Sequence, residues 1–133
     1  MRLNQVTVPC VNYEASVAFY KMLGLIQIVD SPPRYARFEC PAGDKGGAPA
    51  TFSLHHVDAW TGCEDPLVYF EVDDLDAEHD RLRATGLTFI SPPTDQSWGW
   101  REAYLQDPAG NRICLYQAGT MRRFPPWALP RDN

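Results

Sequence analysis

The chain has 133 residues, 44% hydrophobic and 22% charged, with a formal net charge of −5 and a pI near 5.0. That is enough chain for one folded domain with a real core. The acidic balance lacks the basic stripe that neutralises phosphates, which argues against a nucleic-acid partner, and no apolar run approaches a membrane span. The opening Met1-Arg2-Leu3-Asn4-Gln5 is not a signal peptide, so a cytoplasmic location is expected. Cys10, Cys40, Cys63 and Cys114 form no CxxC pair and no zinc-type spacing, which favours free buried thiols.

The first strand is expected over Leu3–Val8. Asn12 is the N-cap of a helix over Tyr13–Leu23, with Val17, Tyr20 and Leu23 facing the sheet and Gly24 as the left-handed terminal residue. Strands follow at Leu25–Val29, Tyr35–Cys40 and Thr51–His56. Ser31-Pro32-Pro33 breaks the chain between the first two, and Pro41–Gly47 makes a flexible turn. Asp58–Pro66 reads as a linker. A strand at Leu67–Val72 then precedes a helix capped by Asp73-Asp74, with Leu75, His79 and Leu82 on one face and Gly86 at its end. Further strands are expected at Leu87–Ile90, Trp100–Gln106 and Arg112–Gln117. Ser91-Pro92-Pro93 echoes the earlier break, and Asp107-Pro108-Ala109-Gly110-Asn111 forms a hairpin connection. The remainder is Pro-rich, and Phe124 and Trp127 suggest that it packs on an apolar patch or a dimer partner.

These elements form an internal repeat. Gln5–Ile28 aligns without a gap on Leu67–Ile90, 62 positions later, with Asn12 on Asp74, Gly24 on Gly86 and Ile28 on Ile90. Two β-α-β-β-β modules follow, each with an apolar face to bury. The fold class is α+β: two tandem βαβββ modules. One domain is expected over 1–117 (modules 1–57 and 66–117), with a tail over 118–133.

The repeat, the Glu14–Leu25 stretch, Phe70–Ala77 and Asp107–Ile113 together resemble the vicinal oxygen chelate superfamily of glyoxalases, extradiol dioxygenases and bleomycin-resistance proteins. The resemblance spans Leu3–Gln117. It implies that the two modules form a curled mixed-sheet cup with helices outside, a homodimer, and four metal-ligand positions on the first and last strand of each copy. Carried onto this chain, those positions are Gln5, Ser53, Leu67 and Cys114. Leu67 cannot coordinate, and one amide, one hydroxyl and one thiol do not make the usual carboxylate–imidazole set. No cofactor is therefore expected, with a divalent metal as the alternative.

Strand alternation turns Gln5, Ser53, Leu67, Tyr69, Glu71, Glu102, Tyr104, Cys114 and Tyr116 to the cup, with His55 on the face of Ser53. Gln5, Ser53, Leu67, Tyr69, Trp100, Arg101, Tyr104, Cys114 and Tyr116 are the candidate ligand-binding residues. Arg101 is read either as an anion binder or as an ion-pair partner at the rim. Trp98-Gly99-Trp100 either stacks a planar ligand or simply packs. His79 reads as a core histidine and Cys114 as a buried inert thiol. Two functions follow. The preferred one is metal-free binding of a planar, aromatic or cationic small molecule, with Glu102 supplying charge. The alternative is a lyase, isomerase or dioxygenase. It would use His55, Tyr69 or Glu102 for acid–base chemistry, or a metal held by Gln5, His55 and Glu102 or Glu71.

Overall fold

The computed structural model describes residues 3–41 and 48–130, with the backbone alone at 63–65. The strands are β1 (Gln5–Cys10), β2 (Ile26–Ser31), β3 (Tyr35–Glu39), β4 (Thr51–His56), β5 (Cys63–Glu71), β6 (Phe89–Asp95), β7 (Arg101–Gln106) and β8 (Asn111–Gln117). The helices are α1 (Tyr13–Met22) and α2 (Leu75–Ala84), and a short 3₁₀ turn covers Gly119–Arg122. They build two four-stranded mixed sheets, β1-β4-β3-β2 and β5-β8-β7-β6, each with one helix and neither closed into a barrel. The α+β tandem βαβββ fold is therefore present as two open sheets. The chain divides into two compact units. Unit one is Met1–Pro66 with Gln106–Arg112, and unit two is Leu67–Leu105 with Ile113–Asn133. No helix among the described residues is long and apolar enough to cross a membrane.

The repeat holds in atomic detail. α1 and α2 each have ten residues, and their first residues lie 62 positions apart. Asn12 accepts a hydrogen bond from the Ala15 amide, and Asp74 accepts one from the Ala77 amide, so both helices start on the same side-chain cap. Both end just before a glycine at φ +99°, Gly24 and Gly86, a conformation that a Cβ disfavours.

In unit one, β1 runs parallel to β4 over six residues each, which carries β1 to Cys10 rather than stopping at Val8. Val8, Phe38, Phe52 and Leu54 are buried on the helix face of the sheet. On α1 the buried stripe is Tyr13, Ser16 and Tyr20, with Phe19 edge-on to Tyr20 at 5.0 Å. The predicted stripe of Val17, Tyr20 and Leu23 is thus rotated. Positions 13, 16 and 20 fall on one face at i, i+3 and i+7, and Val17 and Leu23 flank it half-buried. In unit two the predicted face of Leu75, His79 and Leu82 is the buried one. The Phe89 ring lies 4.5 Å from that of His79, as suits a core histidine.

Two predicted boundaries move. β5 begins at Cys63, inside the predicted linker. β6 runs through Ser91-Pro92-Pro93 instead of ending at Ile90. β6 is an edge strand, where a residue without an N–H is tolerated, and its ladder with β7 shifts register twice there. The flexible turn expected at Pro41–Gly47 lies outside the described residues beyond Pro41. In the tail, Phe124 and Trp127 stay 56% and 61% exposed. Cys10, Cys40 and Cys114 form no disulfide, and burial pushes the Cys10 and Cys40 thiols up. The Cys63 side chain lies outside those described.

The turn Asp107–Asn111 anchors within unit one. The buried Asp107 carboxylate accepts from the Tyr20 hydroxyl at 2.7 Å, the Ala109 amide at 2.9 Å, the Asn111 amide at 2.8 Å and Asn111 Nδ2 at 2.7 Å. Asn111 Nδ2 also donates to the Pro9 carbonyl, and its Oδ1 accepts from Trp60 Nε1 at 3.1 Å. Gly110 takes φ +87°, and a Cβ on the facing Gly62 would meet its carbonyl oxygen at 2.6 Å.

Removing the Tyr20 hydroxyl leaves the buried carboxylate short of a donor. Tyr20→Phe is expected to cost about 1–3 kcal/mol in urea unfolding. Asn12→Ala and Asp74→Ala are each expected to cost about 1 kcal/mol, and the three together test which of these features carries the stability.

Candidate functional site

Each unit presents one polar sheet face opposite its helix, and the two faces carry different chemistry. In unit one, register puts Gln5 beside Thr51, Ser53 between Thr7 and Arg37, and His55 beside Tyr35. The Tyr35 hydroxyl is the hub. It is hydrogen-bonded to Ser53 Oγ at 2.8 Å and accepts from Arg37 Nε at 2.8 Å. Gln5 Oε1 accepts from the Thr51 hydroxyl at 2.9 Å. Burial raises the phenol pKa, but the bonds from Ser53 and Arg37 and the Arg37 charge outweigh it. Tyr35 therefore lies below the ordinary phenol range. Ser53 is fully buried, whereas His55 is exposed.

In unit two, Glu102 and Tyr104 share one face of β7, opposite Ala103 and Leu105, which are fully buried towards the helix. The Glu102 carboxylate is 1% exposed. It accepts from the Tyr104 hydroxyl and, at 3.1 Å, from Trp98 Nε1. Burial and then this bond raise the Tyr104 pKa. Trp100 stacks on Tyr116 at 4.5 Å and 15°, and Tyr69 meets Trp100 and Tyr116 edge-on at 6.1 and 5.7 Å. Burial, and then the Glu71 charge, raise the Tyr116 pKa. Trp100 and Glu71 also border a cleft of about 440 Å³ that Asp73, Asp95 and Arg101 line as well. Arg101 is engaged there. It grips Asp76 through Nε and Nη2 at 2.8 and 2.9 Å and Asp95 through Nη1 at 2.9 Å, and the first of these bonds holds the Asp76 carboxyl down. Of the two readings of Arg101, the structure shows the ion pair. Glu71 pairs with Arg122 at 3.2 Å.

The predicted residues thus fall into two groups. Gln5, Ser53 and His55 lie in unit one, and Leu67, Tyr69, Trp100, Glu102, Tyr104, Cys114 and Tyr116 lie in unit two. Tyr35 and Arg37 did not figure among the predicted site residues. Their signal was the alternation Tyr35-Ala36-Arg37-Phe38, in which the apolar partners are fully buried.

The four positions that would hold the metal of the resembled superfamily do not supply a donor set. Gln5 Oε1 is taken by the Thr51 hydroxyl, and Ser53 Oγ by the Tyr35 hydroxyl. Leu67 offers no donor atom. The buried Cys114 sulfur sits 3.7 Å from the Leu115 carbonyl oxygen. Among the described residues no three His, Cys, Asp or Glu side chains gather as a metal centre would need.

The family model of the Glyoxalase/Bleomycin resistance protein/Dioxygenase superfamily matches residues 2–115, and the chain belongs to that superfamily. Among solved structures it is similar to a glyoxalase/bleomycin resistance protein/dioxygenase from Nocardioides, with 25% identity over 98% of this chain and 90% of that one and a TM-score of 0.71. It shares its fold with a lactoylglutathione lyase from Agrobacterium tumefaciens (19% identity, 92% and 97% covered, TM-score 0.72). It shares it too with a bleomycin-binding protein solved with bleomycin (20% identity, 88% and 98% covered, TM-score 0.63). No curated protein matches the chain.

The Arg37 charge and bond favour the Tyr35 phenolate. Arg37→Met is therefore expected to raise the Tyr35 pKa, seen as a later tyrosinate absorbance transition in a pH titration referenced to Tyr35→Phe. An unchanged transition would show that the guanidinium does not set it.

Proposed function

We propose that this protein binds a planar, positively charged aromatic small molecule without a metal, on the aromatic face of unit two. The observation that carries this reading is Trp100, backed by Tyr116 at 4.5 Å and bordering a cleft whose carboxylates outnumber its cations. Glu71, Asp73 and Asp95 line it; Glu71 is paired with Arg122, and its one lining arginine, Arg101, is neutralised by Asp76 and Asp95. A rigid indole beside carboxylates suits a flat cation, which gains from stacking and from the field of the acids. Tyr69 and Tyr104 extend the aromatic wall, and the buried Glu102 adds negative charge and fixes Trp98 and Tyr104. The donor atoms described above support a metal-free reading, since Leu67 and the engaged Gln5 and Ser53 leave too few ligands. The fold shared with the bleomycin-binding protein is consistent with ligand binding but is a likeness of fold alone.

Fluorescence titration with acridine orange, a planar cation, tests this. Saturable binding with quenching of tryptophan emission is expected, and Trp100→Ala should weaken it about tenfold or more. Ligand at a hundredfold over its Kd should add about 2.7 kcal/mol of stability in a thermal shift. Equal binding by Trp100→Ala, or preference for the planar anion anilinonaphthalene sulfonate, would refute the assignment. Protein purified without chelator should carry no stoichiometric Mn, Fe, Ni or Zn, and finding one of them would overturn the metal-free part.

A further inference from the structure

Unit one has a site of the opposite sign. We propose that its polar sheet face binds a small carboxylate through Arg37, whose guanidinium brings to this face the positive charge that a metal ion would bring elsewhere in the superfamily.

Three observations carry this. First, the buried Ser53 hydroxyl is bonded to the Tyr35 hydroxyl at 2.8 Å, so a phenol oxygen is the partner of one of the positions assigned to metal ligands. Second, that oxygen orients the guanidinium. Arg37 donates from Nε at 2.8 Å and stands over the Tyr35 ring, with Cζ 5.4 Å from its centroid. An arginine held through Nε by a group itself fixed by Ser53 has lost much of its rotamer freedom before any ligand arrives. Third, among the described residues nothing bonds either Nη group of Arg37, although the residue is only partly exposed. The neighbouring acid on this face, Glu39, makes no ion pair with it among the described residues. The remaining titratable neighbour, His55, lies in register with Tyr35 and is exposed, adding a second donor at the rim. Two parallel N–H groups on a fixed plane match the two oxygens of a carboxylate, which an ammonium or a hydroxyl cannot do.

The same strand of each unit shows the contrast. β3 carries Tyr35 and Arg37 two residues apart, and β7 carries Glu102 and Tyr104. In unit two the tyrosine donates to a carboxylate, and in unit one it accepts from a guanidinium. The anion site uses residues of unit one alone, so it stands or falls separately from the binding proposed for unit two.

The test is calorimetric titration of the full chain with benzoate and oxalate, using benzamide as the uncharged control. Saturable binding of at least one carboxylate, and none of benzamide, is expected at millimolar concentration. Arg37→Met should abolish it, and Arg37→Lys, which keeps the charge but loses the fork, should weaken it about tenfold. Arg83→Met, an exposed arginine on α2, should bind as the parent does. Circular dichroism confirms that each variant is folded, and Arg37→Lys serves if Arg37→Met is not. The proposal is overturned by equal binding to Arg37→Lys and the parent, by the absence of carboxylate binding to the parent, or by preference for inorganic phosphate.

Discussion

Unit one is organised around a buried carboxylate. Asp107 receives four hydrogen bonds, from a helix tyrosine, two turn amides and the Asn111 side chain. A charge taken out of water this completely is tolerable only when its lone pairs are filled, and each donor is then costly to remove. The constraint runs outwards from there. Tyr20 cannot leave the helix face, so α1 is rotated to present Tyr13, Ser16 and Tyr20 to the sheet. Phe52 and Phe38 pack against the Tyr20 ring at 4.4 and 6.0 Å. Asn111 in turn ties the turn to Pro9 and Trp60.

With the helices committed to one face of each sheet, the opposite faces are left for chemistry. Duplication made those faces equivalent in backbone and left them unequal in side chains. One gathers a phenol, a guanidinium and small hydroxyls, and the other gathers a stacked Trp100–Tyr116 pair with Tyr69 edge-on and a buried glutamate. A two-sided metal site would need donors from both copies at matching positions. Gln5 over Leu67 breaks that match, and in unit one Gln5 is bonded to Thr51 and Ser53 to Tyr35. Superfamily membership thus sets the scaffold, and the side chains of the two polar faces set each unit apart.

Several features were legible in the sequence because they depend on short-range physics. An N-cap needs only a side-chain oxygen three residues before an amide, so Asn12 and Asp74 announce both helices. A residue at positive φ after a helix needs only the absence of a Cβ, so Gly24 and Gly86 mark both ends. Two-residue alternation likewise shows that Glu102 and Tyr104 lie opposite Ala103 and Leu105.

What the sequence by itself determined is therefore the repeat, its elements and the superfamily, together with which strand residues share a face. Only the tertiary structure decided how those residues are used. Arg101 could be read as an anion binder until Asp76, 25 positions away, was seen to occupy its guanidinium. Tyr35 looked like an ordinary strand aromatic until Ser53, 18 positions on, was found bonded to its hydroxyl. Asp107 read as a turn residue until Tyr20, 87 positions earlier, was found to donate to it. Local patterning fixes a side chain's direction, because that follows from its own backbone. Its partner, and so its charge and availability to a ligand, depends on chain segments that only folding brings within hydrogen-bond reach.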